Sequence, residues 1–262
     1  MSERTSYLEG TPSWVDLMTT DPEGARAFYG ALFGWEFDVD PNPETGNYTM
    51  CRLRGKNVVG MGGQPATGGM PTVWTTYFAA DDTDKIAERI AEHGGKILMA
   101  PMDVMDAGRM AMAADLEGAM FGTWQAGRHT GAELVNEPGT FTWNELRTRD
   151  LGGSTAFYGE VFGLRWEDFG TGGEGPRYKV ASTAAGVVAG AMEMGPEFPA
   201  GVPAHWLIYF AVADTAATAA KATELGGAIQ VPVTDSPQGP LAVLNDPQGG
   251  VFAIITAPRT EG

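Results

Sequence analysis

Two stretches of this chain, 129 positions apart, are too alike to be independent. Gly10 to Asp38 reads GTPSWVDLMTTDPEGARAFYGALFGWEFD, and Gly139 to Glu167 reads GTFTWNELRTRDLGGSTAFYGEVFGLRWE. Of these 29 positions 13 are identical, where ordinary composition gives roughly two. The segment from Trp74 to Asp103 matches Trp206 to Asp235 at 12 of 30 positions. Asp115-Leu-Glu-Gly118-Ala-Met-Phe121 then matches Asp246-Pro-Gln-Gly249-Gly-Val-Phe252. A period near 130 is far too long for a solenoid. The chain is therefore one small domain copied once. The boundaries follow: a first domain over 1–125, a linker over 126–138, AGRHTGAELVNEP, without a repeat partner, and a second domain over 139–262.

Each copy reads as strand, helix and strands, twice over. Ser13–Thr19 alternates as a strand, and Asp21 followed by Pro22 is a helix N-cap with proline in the first turn. Ala25, Phe28, Tyr29, Leu32 and Phe33 then recur at helical spacing until Gly34 stops the helix. Strands follow near Tyr48–Leu53, Val58–Gly62 and Val73–Ala80. A second helix runs from Thr83 to His93, and strands near Lys96–Met99, Met110–Ala114 and Ala119–Gln125 complete the copy. The expected class is α+β, from four βαβββ modules.

Composition narrows what such a chain meets. Its 262 residues carry a net charge of −16, which repels nucleic acid and anionic membranes. No apolar run has the length of a membrane span, and Met1 to Tyr7 lacks the apolar core of an export signal, so a cytoplasmic location is expected. Cys51 is the single cysteine, which rules out an intrachain disulfide framework and a cysteine-cluster metal site; a buried, unreactive thiol is expected. The chain has no Gly–Lys–Ser/Thr phosphate loop, nucleophile elbow or His–Glu–x–x–His.

The pattern strand–x–Asp–x–x–x–Ala–x–x–Phe–Tyr–x–x–x–Phe–Gly at Asp21–Gly34, repeated at Asp150–Gly163 with Ser154 in the alanine place, resembles the vicinal oxygen chelate superfamily of glyoxalases, bleomycin-resistance proteins and extradiol dioxygenases. The Asp–x–x–Gly–x–x–Phe turns at Asp115 and Asp246 resemble the same family's last-strand turn. The likeness covers nearly the whole chain and is greatest to the tandem, two-domain glyoxalase-like subgroup labelled "putative hydroxylase". It implies two tandem domains, each a pair of βαβββ modules curled into an eight-stranded half-barrel around a cavity. It also implies a divalent metal held on the cavity wall by His, Glu or Gln.

This sequence departs from that metal pattern. The family's ligand positions fall on Trp14 and Trp143, on Thr75 and Leu207, and on Gly122 and Ala253, with only Gln64 or Glu193 near the fourth-strand position. Three histidines, His93, His129 and His205, are all the chain has, and His205 stands two residues from an expected slot. No metal and no cofactor are therefore expected.

Strand alternation decides what accompanies the replaced ligands. If Trp14 faces the cavity, so do Asp16 and Met18; in the second copy Trp143 is joined by Glu145 and Arg147. A carboxylate against an aromatic wall has its pKa raised by desolvation and can carry a proton near neutral pH, so Asp16 and Glu145 are the candidate catalytic pair. A carboxylate solvated or paired with arginine is the plainer alternative. Trp14, Trp143, Tyr48, Tyr178, Tyr77 and Tyr209 are the candidate substrate-binding residues, although the last two pairs also suit core packing. Met99, Met102, Met105, Met110, Met112 and Met120 crowd the end of the first copy, and Gly62–Pro71 and Glu193–Pro203 are loops that could border the cavity mouths. The partner expected is a hydrophobic or aromatic small molecule, taken by a monomer or homodimer. Three functions fit: a metal-independent isomerase, lyase or cyclase using acid–base or cavity-shaping catalysis, a bleomycin-resistance-like sequestering protein, or an interaction protein with vestigial cavities.

Overall fold

The computed structural model describes residues 2–42, 45–64, 69–170 and 176–256. The first copy runs β1 (Pro12–Thr19), α1 (Pro22–Phe33), β2 (Glu36–Val39), β3 (Thr49–Leu53), β4 (Lys56–Gly63), β5 (Val73–Ala79), α2 (Thr83–Glu92), β6 (Lys96–Val104), β7 (Gly108–Ala114) and β8 (Met120–Ala126). The second runs β9 (Phe141–Thr148), α3 (Leu151–Phe162), β10 (Arg165–Asp168), β11 (Tyr178–Thr183), β12 (Gly186–Glu193), β13 (His205–Ala211), α4 (Thr215–Glu224), β14 (Ala228–Thr234), β15 (Leu241–Asn245) and β16 (Val251–Ile255). Each copy closes one mixed sheet of eight strands, in the order β2-β3-β4-β1-β5-β8-β7-β6 and its counterpart β10-β11-β12-β9-β13-β16-β15-β14. This is the α+β fold of two tandem domains that the repeat predicts.

The helix signals act as their chemistry requires. Asp21 accepts from the Gly24 amide at 3.0 Å and its twin Asp150 from the Gly153 amide at 2.9 Å, which satisfies otherwise orphaned first-turn donors. Gly34 ends α1 at φ 76°, a left-handed conformation that closes the last turn onto the Gly30 carbonyl. The short strand β2 and its twin β10 were not legible beforehand. Both are mostly exposed edge strands of four residues with one partly buried aromatic each, Phe37 and Trp166, too short a run for alternation to mark a strand.

The aromatic faces of the helices do more than cover their own sheets. On α1, the Tyr29 hydroxyl accepts from Trp74 Nε1 of its own half at 3.0 Å and donates to Asp246 of the other half at 2.9 Å. Tyr158 on α3 repeats this with Trp206 at 2.8 Å and Asp115 at 3.2 Å. Phe28 and Tyr29 pack with Phe252, while Phe78 and Phe121 pack with Tyr158 and Phe162. Thr76 on β5 donates to Asn144 on β9 at 2.8 Å. The halves therefore share their cores through reciprocal contacts. The segment 126–138 is tied down between them, with Ala132, Leu134 and Val135 buried.

Candidate functional site

The first half-barrel holds a cavity of about 710 Å³ whose lining residues all fall between Trp14 and His129. Both ends of the sheet reach it: Tyr48 and Met50 from one side, Met102, Met105 and Met110 from the other. A sheet whose two ends line one space must curl around it. Register places the central wall. Trp14 pairs with Tyr77, and Tyr77 with Gly122; one pleat along, Asp16 pairs with Thr75 and Gly60.

The polar centre of this wall is Asp16, which is only 4% exposed. Its Oδ2 accepts from Tyr77 at 3.1 Å and from Tyr48 at 3.2 Å, and the Tyr48 hydroxyl accepts from Trp14 Nε1 at 3.1 Å. Its Oδ1 is buried and has no hydrogen-bond partner among the described residues. Burial pushes the Asp16 pKa up to about 6, although the Tyr77 and Tyr48 hydroxyls pull the other way. Burial and the adjacent Asp16 charge hold both phenols well above the ordinary tyrosine value, so they remain donors.

Two glycines make this arrangement possible. A Cβ on Gly60 would lie 1.8 Å from the Tyr48 hydroxyl, and one on Gly122 would lie 2.1 Å from the Tyr77 ring. Both tyrosines reach Asp16 by lying across bare backbone. Gly190 plays the part of Gly60 in the second half, where its Cβ would meet the Tyr178 hydroxyl at 2.0 Å.

The second half builds the same frame and neutralises it. Trp143 Nε1 donates to Tyr178 at 2.9 Å, and Tyr209 donates to Glu145 at 2.9 Å. Arg147 Nε, however, lies 3.1 Å from Glu145 Oε1, with both side chains largely buried, and the Phe198 ring sits 5.7 Å from the Arg147 guanidinium carbon. The Arg-paired alternative describes Glu145. The structure thus brings Trp14, Asp16, Tyr48 and Tyr77 to one cavity, and Trp143, Glu145, Tyr178 and Tyr209 to a separate, internally paired cluster.

Among the cavity residues that sequence reasoning missed are Trp124 and His129. Trp124 was within reach, since it follows Gly122 by one strand period on the same face. His129 lies in the linker, where no repeat partner and no periodicity point to it. Its backbone is fixed by its N–H on Ala107 O at 3.0 Å and its C=O on Trp124 Nε1 at 2.8 Å. The ring stands edge-on to Trp14 at 4.3 Å and to Trp124 at 5.4 Å. Of the crowded methionines, Met102, Met105 and Met110 line the cavity, the first two of them at its exposed rim, whereas Met99, Met112 and Met120 are not among its lining residues. In the loop Gly62–Pro71, residues 65–68 lie outside the described residues.

The donors on the wall do not fit the metal that the family resemblance implies. The strand positions offer Trp14, Thr75, Tyr77, Gly122 and the single carboxylate Asp16, which already accepts two phenolic hydroxyls through Oδ2. Asp38, Asp40, Asp103 and His129 also border the cavity; Asp38 and Asp103 are paired with Arg52 and Arg109, and Asp40 accepts from the Asn42 amide. Among the described residues no three His, Cys, Asp or Glu side chains cluster as a metal ion needs. No helix of the described residues is long and apolar enough to cross a membrane.

A profile of the Glyoxalase/Bleomycin resistance protein/Dioxygenase superfamily matches residues 11–123 and again 140–254. The chain is 45% identical over 259 residues to a Mycobacterium bovis protein named "Putative glyoxylase CFP32", covering 97% of this chain and 98% of the relative. It is 37% identical over 265 residues to the anthracycline biosynthesis protein DnrV of Streptomyces peucetius, covering 96% of this chain and 94% of the relative. Among solved structures, the Mn(II)-bound glyoxalase of Novosphingobium aromaticivorans superposes with a TM-score of 0.65 at 14% identity, covering 98% of this chain and 83% of that one. The 2,3-dioxygenase LapB of Pseudomonas sp. KL28 gives 0.65 at 11%, covering 98% and 96%. At such identities the structures speak to the fold alone.

Proposed function

The chain belongs to the Glyoxalase/Bleomycin resistance protein/Dioxygenase superfamily, and from that premise we propose that its first half-barrel binds a hydrophobic or aromatic small molecule and transforms it by proton transfer through Asp16, without a metal. The observation that carries this reading is the orphaned Oδ1 of Asp16 in the cavity wall. A buried polar atom without a partner is costly, and a ligand that supplies the partner removes that cost. With a pKa pushed up to about 6, Asp16 is mostly ionised at neutral pH yet re-protonates readily, which suits a general base that later returns its proton. Tyr48 and Tyr77 hold Oδ2 and leave Oδ1 without a partner of its own. In the step proposed, Oδ1 takes a proton from an acidic position of the ligand. The electron pair left behind delocalises into the ligand's conjugated system and the same proton is returned at another atom, giving an isomerisation; alternatively the carbanion forms a bond to a carbonyl carbon of the same ligand, the C=O π bond breaks, and the proton is returned to that oxygen, giving a ring closure.

Trp14, Trp124 and the methionines supply the aromatic and adaptable apolar surface such a ligand needs. The name of the DnrV relative, an anthracycline biosynthesis protein, supports a polycyclic aromatic as the first class to try. Glu145, held by Arg147, has no place in this chemistry. The test is native mass spectrometry of the purified protein to identify a retained metabolite, followed by binding and turnover of that metabolite by wild type and Asp16→Asn. The variant keeps shape but cannot exchange a proton at neutral pH. Turnover should fall by about 100-fold or more, the range for a lost general base, while binding changes little. Equal turnover by both proteins would exclude proton transfer through Asp16; turnover by neither would favour sequestration.

A further inference from the structure

Three times among the described residues a tryptophan N–H donates to a tyrosine hydroxyl that in turn donates to a buried aspartate: Trp14 to Tyr48 to Asp16, Trp74 to Tyr29 to Asp246, and Trp206 to Tyr158 to Asp115. In the second half-barrel Trp143 donates to Tyr178 in the same way, beside the Glu145 charge. An indole N–H can only donate. A hydroxyl carries one proton, and that proton cannot point at a donor already seated on its oxygen. Each tryptophan therefore fixes the direction of its relay, and the tyrosine's proton is left for the carboxylate.

The relays differ in where they end. Asp246 Oδ1 accepts from the Gln248 and Gly250 amides and Asp115 Oδ1 from the Glu117 and Ala119 amides, so these two carboxylates are held at both oxygens and serve the seam between the halves. Glu145 is bound by Arg147. Asp16 is held through Oδ2 alone, and the hydrogen bonds from Tyr77 and Tyr48 are what oppose the effect of burial on its ionised form. Of these two donors only Tyr48 receives a tryptophan N–H among the described residues. Burial and the Asp16 charge raise the Tyr48 pKa; the Trp14 N–H is the contact that pulls it down, and so makes Tyr48 the better donor.

We propose that Trp14 is a positioning residue for Asp16: its indole N–H holds the Tyr48 hydroxyl in the donor orientation, and so keeps the carboxylate fixed through Oδ2 for proton transfer. This rests on the reading of Asp16 as the proton-transfer group, and adds a residue that acts on it through Tyr48, a role separate from any contact of the indole face with a ligand. Once Asp16 has taken a proton, a Tyr48 hydroxyl free to turn could accept that proton's hydrogen bond and stabilise the neutral acid. The Trp14 N–H opposes that turn, so the protonated state gains no such partner and gives its proton up again. The other titratable groups around this carboxylate are Tyr77 on β5, Cys51 on β3 near Tyr48, and Asp38, Asp40, Asp103 and His129 on the cavity wall; all are common to wild type and to variants at Trp14.

The experiment follows the Asp16 carboxyl by 13C NMR across pH in the full chain, in wild type, in Trp14→Phe and in Trp14→benzothienylalanine, the last an analogue of tryptophan with sulfur in place of the N–H. Asp16 should titrate about half a pH unit higher in both variants, because a hydrogen bond to its ionised form is weakened. Tyr48→Phe should raise it too, and in the Tyr48→Phe background neither change at Trp14 should add to the shift, since the relay is already cut. Wild type supplies a check that needs no variant at Trp14 to fold well: one indole N–H resonance should move with the Asp16 midpoint and stop doing so in Tyr48→Phe. An Asp16 titration unmoved by both changes at Trp14, a shift equal with and without the Tyr48 hydroxyl, or indole signals indifferent to Asp16 in wild type would each overturn the positioning role while leaving Asp16 as the proton carrier. Equal turnover of the retained metabolite by Asp16→Asn and wild type, with the relay intact by NMR, would instead overturn the proton-transfer reading, and the role of Trp14 in it.

Discussion

Asp16→Asn should make the protein more stable at neutral pH and not at acid pH, and the size of the difference can be worked from the site. The Asp16 pKa moves from 3.8 in the unfolded chain to about 6 in the folded one. Because the folded value is the higher, the native state holds this proton more tightly and is penalised wherever the unfolded carboxyl has lost its own. The sign is therefore opposite to that of a salt-bridged aspartate. Below pH 3.8 the group costs nothing; the penalty grows as pH rises and is complete above about pH 6. At pH 7.5 it amounts to about 3 kcal/mol, and at pH 4.5 to about 1 kcal/mol. Asparagine removes the titration. It adds a pH-independent cost, because its amide N–H group has no acceptor where Oδ1 now lies unpartnered. That cost cancels when the variant is compared with wild type at both pH values. Urea unfolding should show the variant gaining about 2 kcal/mol, relative to wild type, between pH 4.5 and 7.5. The other titrating groups are common to both proteins and drop out. A difference that does not change with pH, or one that changes in favour of wild type as pH rises, would refute the assignment of Asp16 as a carboxyl strained by burial.

Two further outcomes follow from the same geometry. Gly60→Ala puts a methyl group where the Tyr48 hydroxyl lies, 1.8 Å away, so the tyrosine must leave Asp16; stability should fall by about 1–3 kcal/mol in urea unfolding, and the Asp16 carboxyl, read by 13C NMR, should titrate at still higher pH because a hydrogen bond to its ionised form is lost. Arg147→Met leaves Glu145 buried without its cation at 3.1 Å; the cost should be about 3–5 kcal/mol in the same assay at neutral pH.

How far the sequence announces this molecule depends on which interaction decides each feature. The duplicated caps Asp21 and Asp150, the apolar helix stripes and the alternating strands are local, and local periodicity reveals them. The edge strands β2 and β10 escape because four residues with a single partly buried aromatic, Phe37 or Trp166, are too short a run to establish a period. The shared core escapes for another reason. Tyr29 and Tyr158 read as ordinary core residues, and only the placement of two sheets brings Asp246 and Asp115 to their hydroxyls. In the site, strand period carries Trp14, Asp16 and, through the duplication, Tyr48 and Tyr77 toward one face. Trp124 belongs to the same arithmetic. His129 does not, since its position depends on how the linker backbone crosses the β6–β7 turn.

The two copies began as one sequence, so a difference between them at matching positions says what each half now does. Their frames agree closely: Trp14 and Trp143 on their tyrosines, Gly60 and Gly190 beneath those tyrosines, a carboxylate at 16 and 145. The divergence falls one strand period further, at Met18 against Arg147. A thioether gives the neighbouring carboxylate no countercharge, and burial raises Asp16 to about 6 against the pull of its two phenolic hydrogen bonds. A guanidinium at the same place binds the carboxylate at 3.1 Å and satisfies it. A carboxylate satisfied by its own protein has little to offer a ligand, whereas one left with an orphaned oxygen has a standing need for a partner. Stability alone would favour the paired arrangement in both halves, because the unpaired one carries the penalty worked out above. Natural proteins keep such penalties where function needs the strained group. In the first half the unpaired carboxylate coincides with a cavity, the tryptophans Trp14 and Trp124 and the linker histidine His129, and it is on this coincidence that the proposed role of the first half-barrel rests.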